Sequence, residues 1–362
     1  MSVPDVAPAP SWGRRARGTL GPGLSWVVLG GLLVGVFLLA IAVGAVPVPP
    51  ASLGGSVLAA LGVDTAHRLE PVQEAVLLSI RLPRALLGML VGAVLALSGA
   101  ALQALFRNPL VDAGLLGTTG GAAVGAVSAI LLDVALASRL GPLRALAVPG
   151  VAFLGALVAT LLAYRLGVRG GRAEGPRVLL AGIAISAGAS ACVGLLISVA
   201  SDAQLRSITF WNLGSLGGAS WEAVRVAVVP LGIALVLLLR EGSRLNLLML
   251  GEREARHLGV DVERLQRRLI LGTALGVGAA VAFTGTIGFV GLVVPSLLRL
   301  VLGPDNRRLL GATALMGAAL LVGADVVSRT VVAPLELPIG ALTSALGAPA
   351  FIALLARGRG RA

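Results

Sequence analysis

The sequence predicts an all-α polytopic membrane protein. Apolar residues make up 57% of the 362 residues and charged residues only 13%, with a mean hydropathy of +0.96. Soluble domains are typically about 45–50% apolar and about a quarter charged, so this chain has too few polar residues to cover a soluble globule. The uncharged runs 18–63 and 178–201 exceed the ~20 residues that a membrane-spanning helix needs. A soluble enzyme, a disordered chain and, with one cysteine, a disulfide scaffold are excluded.

Ten stretches are predicted to span the membrane. They are 24–46, 85–106, 113–132, 145–165, 178–200, 223–240, 268–288, 289–302, 309–328 and 337–356. The uncharged run that contains the seventh and eighth is too long for one straight span. We expect Gly285, Gly288, Gly291 and Pro295 to divide it into a full helix and a short broken one.

The basic residues predict the orientation of these spans. All 29 are arginine, and 21 of them lie inside if both termini are cytoplasmic. The eight outside are Arg68, Arg81, Arg84, Arg139, Arg144, Arg206, Arg225 and Arg329. The chain then divides into a basic cytoplasmic tail at 1–20, a single transmembrane domain at 21–357 and a short cytoplasmic tail at 358–362. We expect the first span to be retained, because its apolar run is longer than that of a signal peptide.

The absence of lysine restricts the chemistry. A phosphate-binding loop of the Walker type needs a lysine, and so does a Schiff base. If the protein uses ATP, another polypeptide must bind it. The two histidines, His67 and His257, fall on opposite sides of the membrane in this topology. Cys192 is interpreted as a small buried apolar residue. The sequence therefore predicts neither a catalytic site nor a metal site.

An internal repeat is indicated by matches at an offset of 186 residues. The glycines Gly92 and Gly99 match Gly278 and Gly285, and their neighbours match as well. Spans five apart run in opposite directions, so helices 2–5 and 7–10 would form an inverted repeat, which is common in transporters. The alternative is chance, because 50 residues of the chain are glycine.

Three polar motifs lie at predicted helix ends. Arg81 and Arg84 are three residues apart, so they share a helix face that suits either acidic groups of a docking protein or anchoring at the interface. The segment 107–110 is predicted to be a structural corner. Asp325 and Arg329 are four apart, which favours a local ion pair.

The loop 241–268 is predicted to be a hairpin of two short helices. An apolar segment at 245–250 precedes Gly251, and a charged segment follows it. Such a pair should pack on a membrane surface or on a soluble partner, and the glycine hinge favours a partner.

Long motifs resemble one known family. They are Arg81–Leu82–Pro83–Arg84, Ser98–Gly99, Gln103, Arg107–Asn108–Pro109–Leu110, Leu180–Ala181–Gly182, Trp211–Asn212–Leu213–Gly214–Ser215–Leu216, Gly251–Glu252, Gly288–Phe289–Val290–Gly291–Leu292–Val293–Val294–Pro295, Glu336–Leu337–Pro338 and Gly347–Ala348–Pro349. They look like the permease subunits of type II ABC importers for vitamin B12, iron-siderophores and haem, over residues 24–357. Ser296 and Asn306 depart from the family, which often has histidine there, and Ala113 stands where it often has proline.

The resemblance implies a homodimer in the bacterial inner membrane, with ten helices per subunit and both termini cytoplasmic. Its partners would be two ATP-binding cassette subunits, which bind the ATP, a substrate-binding protein and membrane lipid, with no nucleic acid and no resident cofactor. Residues that would dock the binding protein are Arg81, Arg84 and Arg329. Residues that would couple to the ATPase are Asn246, Leu248, Leu250, Gly251, Glu252, Ala255, Leu258 and Gly259. The fifth span would line the pathway with Ile183, Ser186 and Ser190, above a gate at Ala173, Glu174, Gly175 and Pro176.

The cargo is expected to be haem, because 202–211 and 217–221 are most similar to the haem-importing members. Ferric siderophore and vitamin B12 remain alternatives. An ion-driven secondary transporter acting alone is the alternative of another class, and it would require paired carboxylates in mid-span, which the sequence lacks.

Overall fold

The computed structural model describes residues 21–359 except 45, 47, 50, 51, 53–68, 170 and 171. The predicted tail 1–20 and the end of the tail 358–362 lie outside these residues. The helices are α1 Pro22–Ala42, α2 Pro71–Val76, α3 Leu82–Leu105, α4 Thr118–Leu140, α5 Ala147–Gly167, α6 Gly175–Ile197, α7 Asp202–Leu213, α8 Trp221–Leu239, α9 Gly242–Leu248, α10 Glu252–His257, α11 Val262–Thr284, α12 Val290–Leu302, α13 Asn306–Thr330 and α14 Ile339–Arg359. Two short strands, β1 Val168–Arg169 and β2 Arg172–Ala173, pair as an antiparallel hairpin between α5 and α6.

The apolar helices confirm the all-α polytopic class. Within the described residues, seven helices have the length and hydropathy to cross a membrane, and α4, α12 and α14 contain shorter apolar segments. Together these ten helices match the ten predicted spans in order and are compatible with that number of crossings. Their limits mostly differ from the prediction by one to six residues.

The structure departs most clearly from the prediction at the beginning of the second span. One helical stretch runs from Pro71 to Leu105, with a π-helical turn at Leu77–Arg81 between α2 and α3. Pro83 lies directly after that turn. A π-turn beside a proline is a common way to absorb its missing hydrogen bond. Arg81 therefore lies inside a long helix and not at the entry of a new one.

The break between the seventh and eighth spans is confirmed. Helix α11 ends at Gly285, whose φ is +67°, and α12 begins after Phe289, whose φ is +66°. Gly288 belongs to this break. The prediction was wrong for Gly291 and Pro295, which both lie within α12. Pro295 cannot donate to the carbonyl of Gly291 four residues earlier, and that carbonyl instead accepts from Gln103 Nε2 of α3 at 3.0 Å.

Glycines bring the helices of the bundle close together. A Cβ added at Gly92 would overlap the backbone of Gly317, and one added at Gly99 would overlap the backbone of Gly291. Helix α4 approaches α5 in the same way, through Gly121. Small residues allow such contacts where packing replaces the hydrophobic effect as the cause of helix association.

The contacts agree with an inverted repeat. The matched glycines Gly92 and Gly278 each pack against a helix of the other half of the chain, α13 and α5 respectively. Gly88 near the beginning of α3 lies against Leu216, and the neighbouring Ser215 donates its N–H to the carbonyl of Thr284 at the end of α11. The beginning of α3 and the end of α11 therefore lie at the same end of the bundle, so these helices run in opposite directions.

Helix α6 presents most of its surface outward. Leu180, Ile183 and Leu195 are 66%, 47% and 72% exposed. The prediction for Cys192 was wrong, because this residue is exposed on α6 and not buried. An apolar helix that the rest of the chain leaves uncovered must face lipid, a partner chain or a pathway.

Candidate functional sites at the two ends of the bundle

An ionic cluster lies where α3 begins and α13 ends, and we call this the Arg84 end. The Arg84 guanidinium donates from Nε to Asp325 Oδ1 at 2.9 Å and from Nη1 and Nη2 to Glu336 at 2.8 and 3.0 Å. Arg84 thus binds two carboxylates that are 241 and 252 residues away in the chain. Neither partner can be predicted from the sequence, because the pairing depends on how the helices pack.

The cluster is buried at its base and open at one side. The side chains of Arg84 and Asp325 are 7% and 3% exposed, whereas that of Glu336 is 45% exposed. The hydrogen bond from Arg84 lowers the pKa of Glu336 below its ordinary value, because it stabilises the carboxylate. Glu336 is therefore ionised at neutral pH and forms the solvent-facing part of the cluster.

The other two predicted docking arginines are also engaged within the chain. Arg329 Nε lies 3.6 Å from Asp325 Oδ2, which confirms the local ion pair, and its guanidinium also donates to the carbonyl of Ala40. Arg81 donates to the carbonyls of Ile41 and Ala42 at 2.8 and 2.9 Å. These carbonyls end α1, where a cation is favourable because the last carbonyls of a helix lack intrahelical donors. The structure thus shows Arg81 and Arg329 holding α1 to the bundle.

A helical hairpin lies at the opposite end, which we call the hairpin end. Helices α9 and α10 are separated by Gly251, whose φ of +133° is a conformation that side-chain-bearing residues rarely adopt. This confirms the predicted order of a short apolar helix, a glycine break and a short charged helix.

Polar bonds attach the hairpin to α13. Asn246 donates from Nδ2 to Asp305 Oδ1 at 2.6 Å and accepts from the backbone N–H of Asn306 at 2.8 Å. Glu241 holds Arg244 and Arg268 at 2.6 and 3.3 Å. These bonds attach α9 and the residue before it to α11 and α13, so the hairpin is packed on the bundle.

The predicted coupling residues divide into two groups. Asn246, Leu248 and Ala255 pack inward, the last two at 1% and 0% exposure. Leu250 and Leu258 face outward at 64% and 57% exposure, and Glu252 and Gly259 are also exposed. The outer surface of the hairpin therefore presents two leucines beside charged residues, and Gly251 lies between the two groups.

The predicted gate adjoins the hairpin end. Ala173 is part of β2, and Glu174 precedes α6 and pairs with Arg177 at 2.7 Å. A Cβ at Gly175 would lie 3.0 Å from the Phe106 ring at the end of α3, and Pro176 stands in the first turn of α6. Of the predicted pathway residues on α6, Ile183 and Ser190 are exposed and Ser186 is half-buried.

A cavity of about 370 Å³ opens at the same end. Residues from the ends of α3, α12 and α14 line it, together with Met249 of the hairpin. Gln103 and Arg299 on its wall join the two halves of the chain, since Arg299 donates to Gln103 Oε1 and Gln103 donates to the Gly291 carbonyl at 3.0 Å. Gln103 belongs to one of the sequence motifs, whereas no pattern in the sequence distinguishes Arg299 from the other arginines.

A closely packed bundle of apolar helices with a polar cluster at each end has the architecture of a membrane permease. The family model of the FecCD transport family matches residues 32–357. The hemin transport system permease HmuU of Yersinia pestis is 47% identical over 283 residues, covering 78% of this chain and 83% of the relative. The vitamin B12 import permease BtuC of Vibrio cholerae is 43% identical over 288 residues, covering 79% and 84%.

A solved structure supports the same assignment. A metal-chelate type ABC transporter in an inward-facing conformation matches with a TM-score of 0.77 and 32% identity, covering 93% of this chain and 100% of that one. The chain therefore belongs to the FecCD transport family and is a multi-pass permease subunit of a type II ABC importer.

Proposed function

We propose that the protein is the permease subunit of an ATP-dependent haem importer in the bacterial inner membrane. The observation that carries the choice of cargo is the 47% identity to a hemin permease. The second candidate is vitamin B12, which is favoured by matches of 42–43% identity to several B12 permeases. Ferric siderophore is a third cargo within the same family. Two copies of the chain would form the pathway, with both termini in the cytoplasm.

The cargo is tested by reconstituting the permease with its ATPase and its substrate-binding protein in proteoliposomes. We expect ATP-dependent uptake of haem, and no comparable uptake of cobalamin or a ferric siderophore. Preferential uptake of cobalamin would move the assignment to the second candidate. Transport by the permease alone, without an ATPase, would instead support the ion-driven alternative.

The hairpin is the proposed contact for the ATPase subunits. Its exposed Leu250 and Leu258 provide an apolar surface that water would otherwise cover, and the polar bonds of Asn246 make the surface rigid. Apolar anchors on a rigid element are typical of protein interfaces. A force applied to α9 would reach α13 through Asp305 and Asn306.

This contact is tested by changing Leu250 and Leu258 to aspartate together. We expect the ATPase to be lost on co-purification, because a buried interface would then contain unpaired charges. The matched control is Leu335→Asp, an equally exposed leucine (70%) at the Arg84 end. If the ATPase still co-purifies with the double variant, the hairpin does not form the interface.

Docking of the binding protein is proposed to occur by exchange at Arg84. Because Glu336 is the partly exposed carboxylate of the cluster, an acidic residue of the binding protein could replace it on the Arg84 guanidinium while Asp325 remains bound. Arg81 and Arg329 would support this site by holding α1 in place. Electrostatic complementarity of this kind sets specificity and association rate.

The exchange is tested with Glu336→Gln, which removes the competing charge. We expect tighter binding of the binding protein to the permease, measured as a lower Kd, and weaker binding for Arg84→Gln. Equal affinity of Glu336→Gln and wild type would show that the cluster is structural only.

A further inference from the structure

The cavity at the hairpin end contains an unusual combination of charges. Arg107 and Arg299 both line it, and none of its lining residues is acidic. Arg299 is half-buried, and its described partners are the neutral oxygens of Gln103 and Ala100. No ion pair with a carboxylate is formed by Arg107 or Arg299 among the described residues. A guanidinium withdrawn from water without a counter-charge is costly, and an anion in the cavity would offset that cost.

One further donor of hydrogen bonds lies beside the two arginines. The side chains of Asn108, Ser296 and Asn306 also line the cavity. The Ser296 hydroxyl already donates to the Leu292 carbonyl at 2.7 Å, and the amide of the buried Asn306 donates to Asn246 Oδ1 at 3.0 Å. The side-chain oxygen of Asn108 accepts from the backbone N–H of Leu110, so its amide N–H groups, which have no partner among the described residues, can donate to phosphate or carboxylate oxygens.

The rest of the cavity wall is apolar. Leu110, Met249, Leu300, Phe351 and Leu354 come from four different segments and meet there. Leu110 and Leu300 are 45% and 58% exposed, so the apolar wall continues to the outer surface of the chain. A small inorganic anion would leave this wall uncovered, whereas a ligand with an apolar body would cover it.

We propose that this cavity binds an amphipathic anion, with its phosphate or carboxylate group on Arg107 and Arg299 and its apolar part against Leu300, Phe351 and Leu354. Two sources share this chemistry: an acidic phospholipid of the surrounding bilayer, and an apolar cargo that carries carboxylates. None of the predicted docking or coupling residues lines the site, although Asn306 on its wall is bonded to Asn246 of the hairpin. It would make the hairpin end sensitive to ligand, because Met249 of the hairpin is part of the wall.

The test measures ligand binding to the purified full-length permease in detergent, without ATPase or transport. The probes are a short-chain phosphatidylglycerol, a phosphatidylcholine of the same chain length, haem and inorganic phosphate, with bound ligand counted by native mass spectrometry. We expect phosphatidylglycerol or haem to bind at least about tenfold more tightly than phosphatidylcholine and inorganic phosphate, as an ionic hydrogen-bonded contact should provide. The anion that binds identifies the source.

Variants assign the binding to the cavity. Arg107 lies at an exposed corner outside the packed core, and Arg107→Gln should lower the affinity for the anion about tenfold. Arg299→Lys should retain most of the affinity because it retains the charge. Arg308→Gln is the matched control, since Arg308 is an exposed arginine of α13 that does not line the cavity. Equal binding of the two phospholipids, preference for inorganic phosphate, or an equal effect of Arg107→Gln and Arg308→Gln would overturn the proposal. The phospholipid arm does not depend on the proposed cargo. The haem arm rests on the proposed function, but its failure is distinguishable from a failure of that function because binding is measured without ATPase or transport.

Discussion

The Arg84 cluster shows how a single side chain holds two distant parts of the chain. Its guanidinium uses all three nitrogens for Asp325 and Glu336, so α3, α13 and the segment before α14 are tied at one point. Removing one partner of a buried ion pair leaves an uncompensated charge, which is usually more harmful than removing the whole pair. The arginine motif is thus a structural element of the permease before any partner binds.

The first prediction concerns the stability of this cluster. Arg84→Ala should lower the free energy of unfolding in mixed micelles by about 3–5 kcal/mol, because Asp325 remains buried with only Arg329 near it. Arg225→Ala serves as control, since the described bond of this exposed arginine is to a backbone carbonyl of its own helix. An effect of Arg84→Ala no larger than that of the control would contradict the prediction.

The second prediction concerns pH. The pKa of Glu336 is lowered in the folded protein, so its contribution to stability is present above its ordinary value of about 4.5 and is lost as pH falls through the lower folded value. Because the side chain is 45% exposed, solvent screening keeps this contribution small. Wild type should melt above Glu336→Gln at pH 7, and the difference in Tm should shrink below about pH 4.5. A difference that is constant from pH 7 to pH 3.5 would contradict the assignment.

At the scale of elements, glycine determines which helices can meet. Gly92 and Gly99 stand two helical turns apart on α3, and they contact α13 and α12 respectively. The third prediction is that Gly99→Val prevents this approach, because its side chain would occupy the position of the Gly291 backbone. We expect a loss of about 1–3 kcal/mol or more in the free energy of unfolding, as for overpacked cores.

A matched glycine on another helix provides the control for that substitution. A Cβ added at Gly30 of α1 meets no atom within 4 Å, so Gly30→Val should be nearly neutral. Thermal unfolding of the two variants in the same detergent compares them directly. Similar melting of both variants would show that the packing of α3 on α12 is less close than the structure indicates.

At the scale of the whole molecule, the outward face of α6 is predicted to line the pathway and not to face lipid. The fourth prediction uses the single cysteine: in a Cys192→Ser background, Ser190→Cys should react with a membrane-impermeant maleimide in proteoliposomes that contain the assembled importer. Thiolates form only in contact with water, so a residue that faces lipid reacts slowly. The control is Val158→Cys on α5, where Val158 is 63% exposed on a helix that is not predicted to line the pathway. Equal labelling at both positions would show that α6 does not line the pathway.

Much of this architecture could be predicted from the sequence because it depends on local physics. Hydropathy and length located the apolar helices, and Gly285 located the break between α11 and α12. Gly251 located the hairpin hinge, because the backbone there needs a conformation that suits glycine. The match of Gly92 with Gly278 predicted an internal repeat, and the helix contacts agree with it.

Several features could not be predicted because they depend on contacts between distant segments. The spacing of Arg81 and Arg84 indicated a shared helix face, but their partners come from α1, α13 and the segment before α14. Proximity at separations of up to 252 residues is a property of the packed bundle. For the same reason Arg299 was not distinguished from other arginines of the predicted inner side.

The sequence by itself determined that this chain is a bundle of apolar helices that must lie in a membrane, since its composition leaves no other way to cover its surface. It also determined that, if the importer uses ATP, another polypeptide must bind it, because a phosphate-binding loop of the Walker type needs a lysine and the chain has none. Only the tertiary structure decided which arginines are paired and which are not. Arg84 binds two carboxylates, whereas Arg107 and Arg299 line a cavity whose lining residues include no carboxylate. The physical reason is that pairing of charges is set by the packing of helices, which brings together residues that are far apart in the chain.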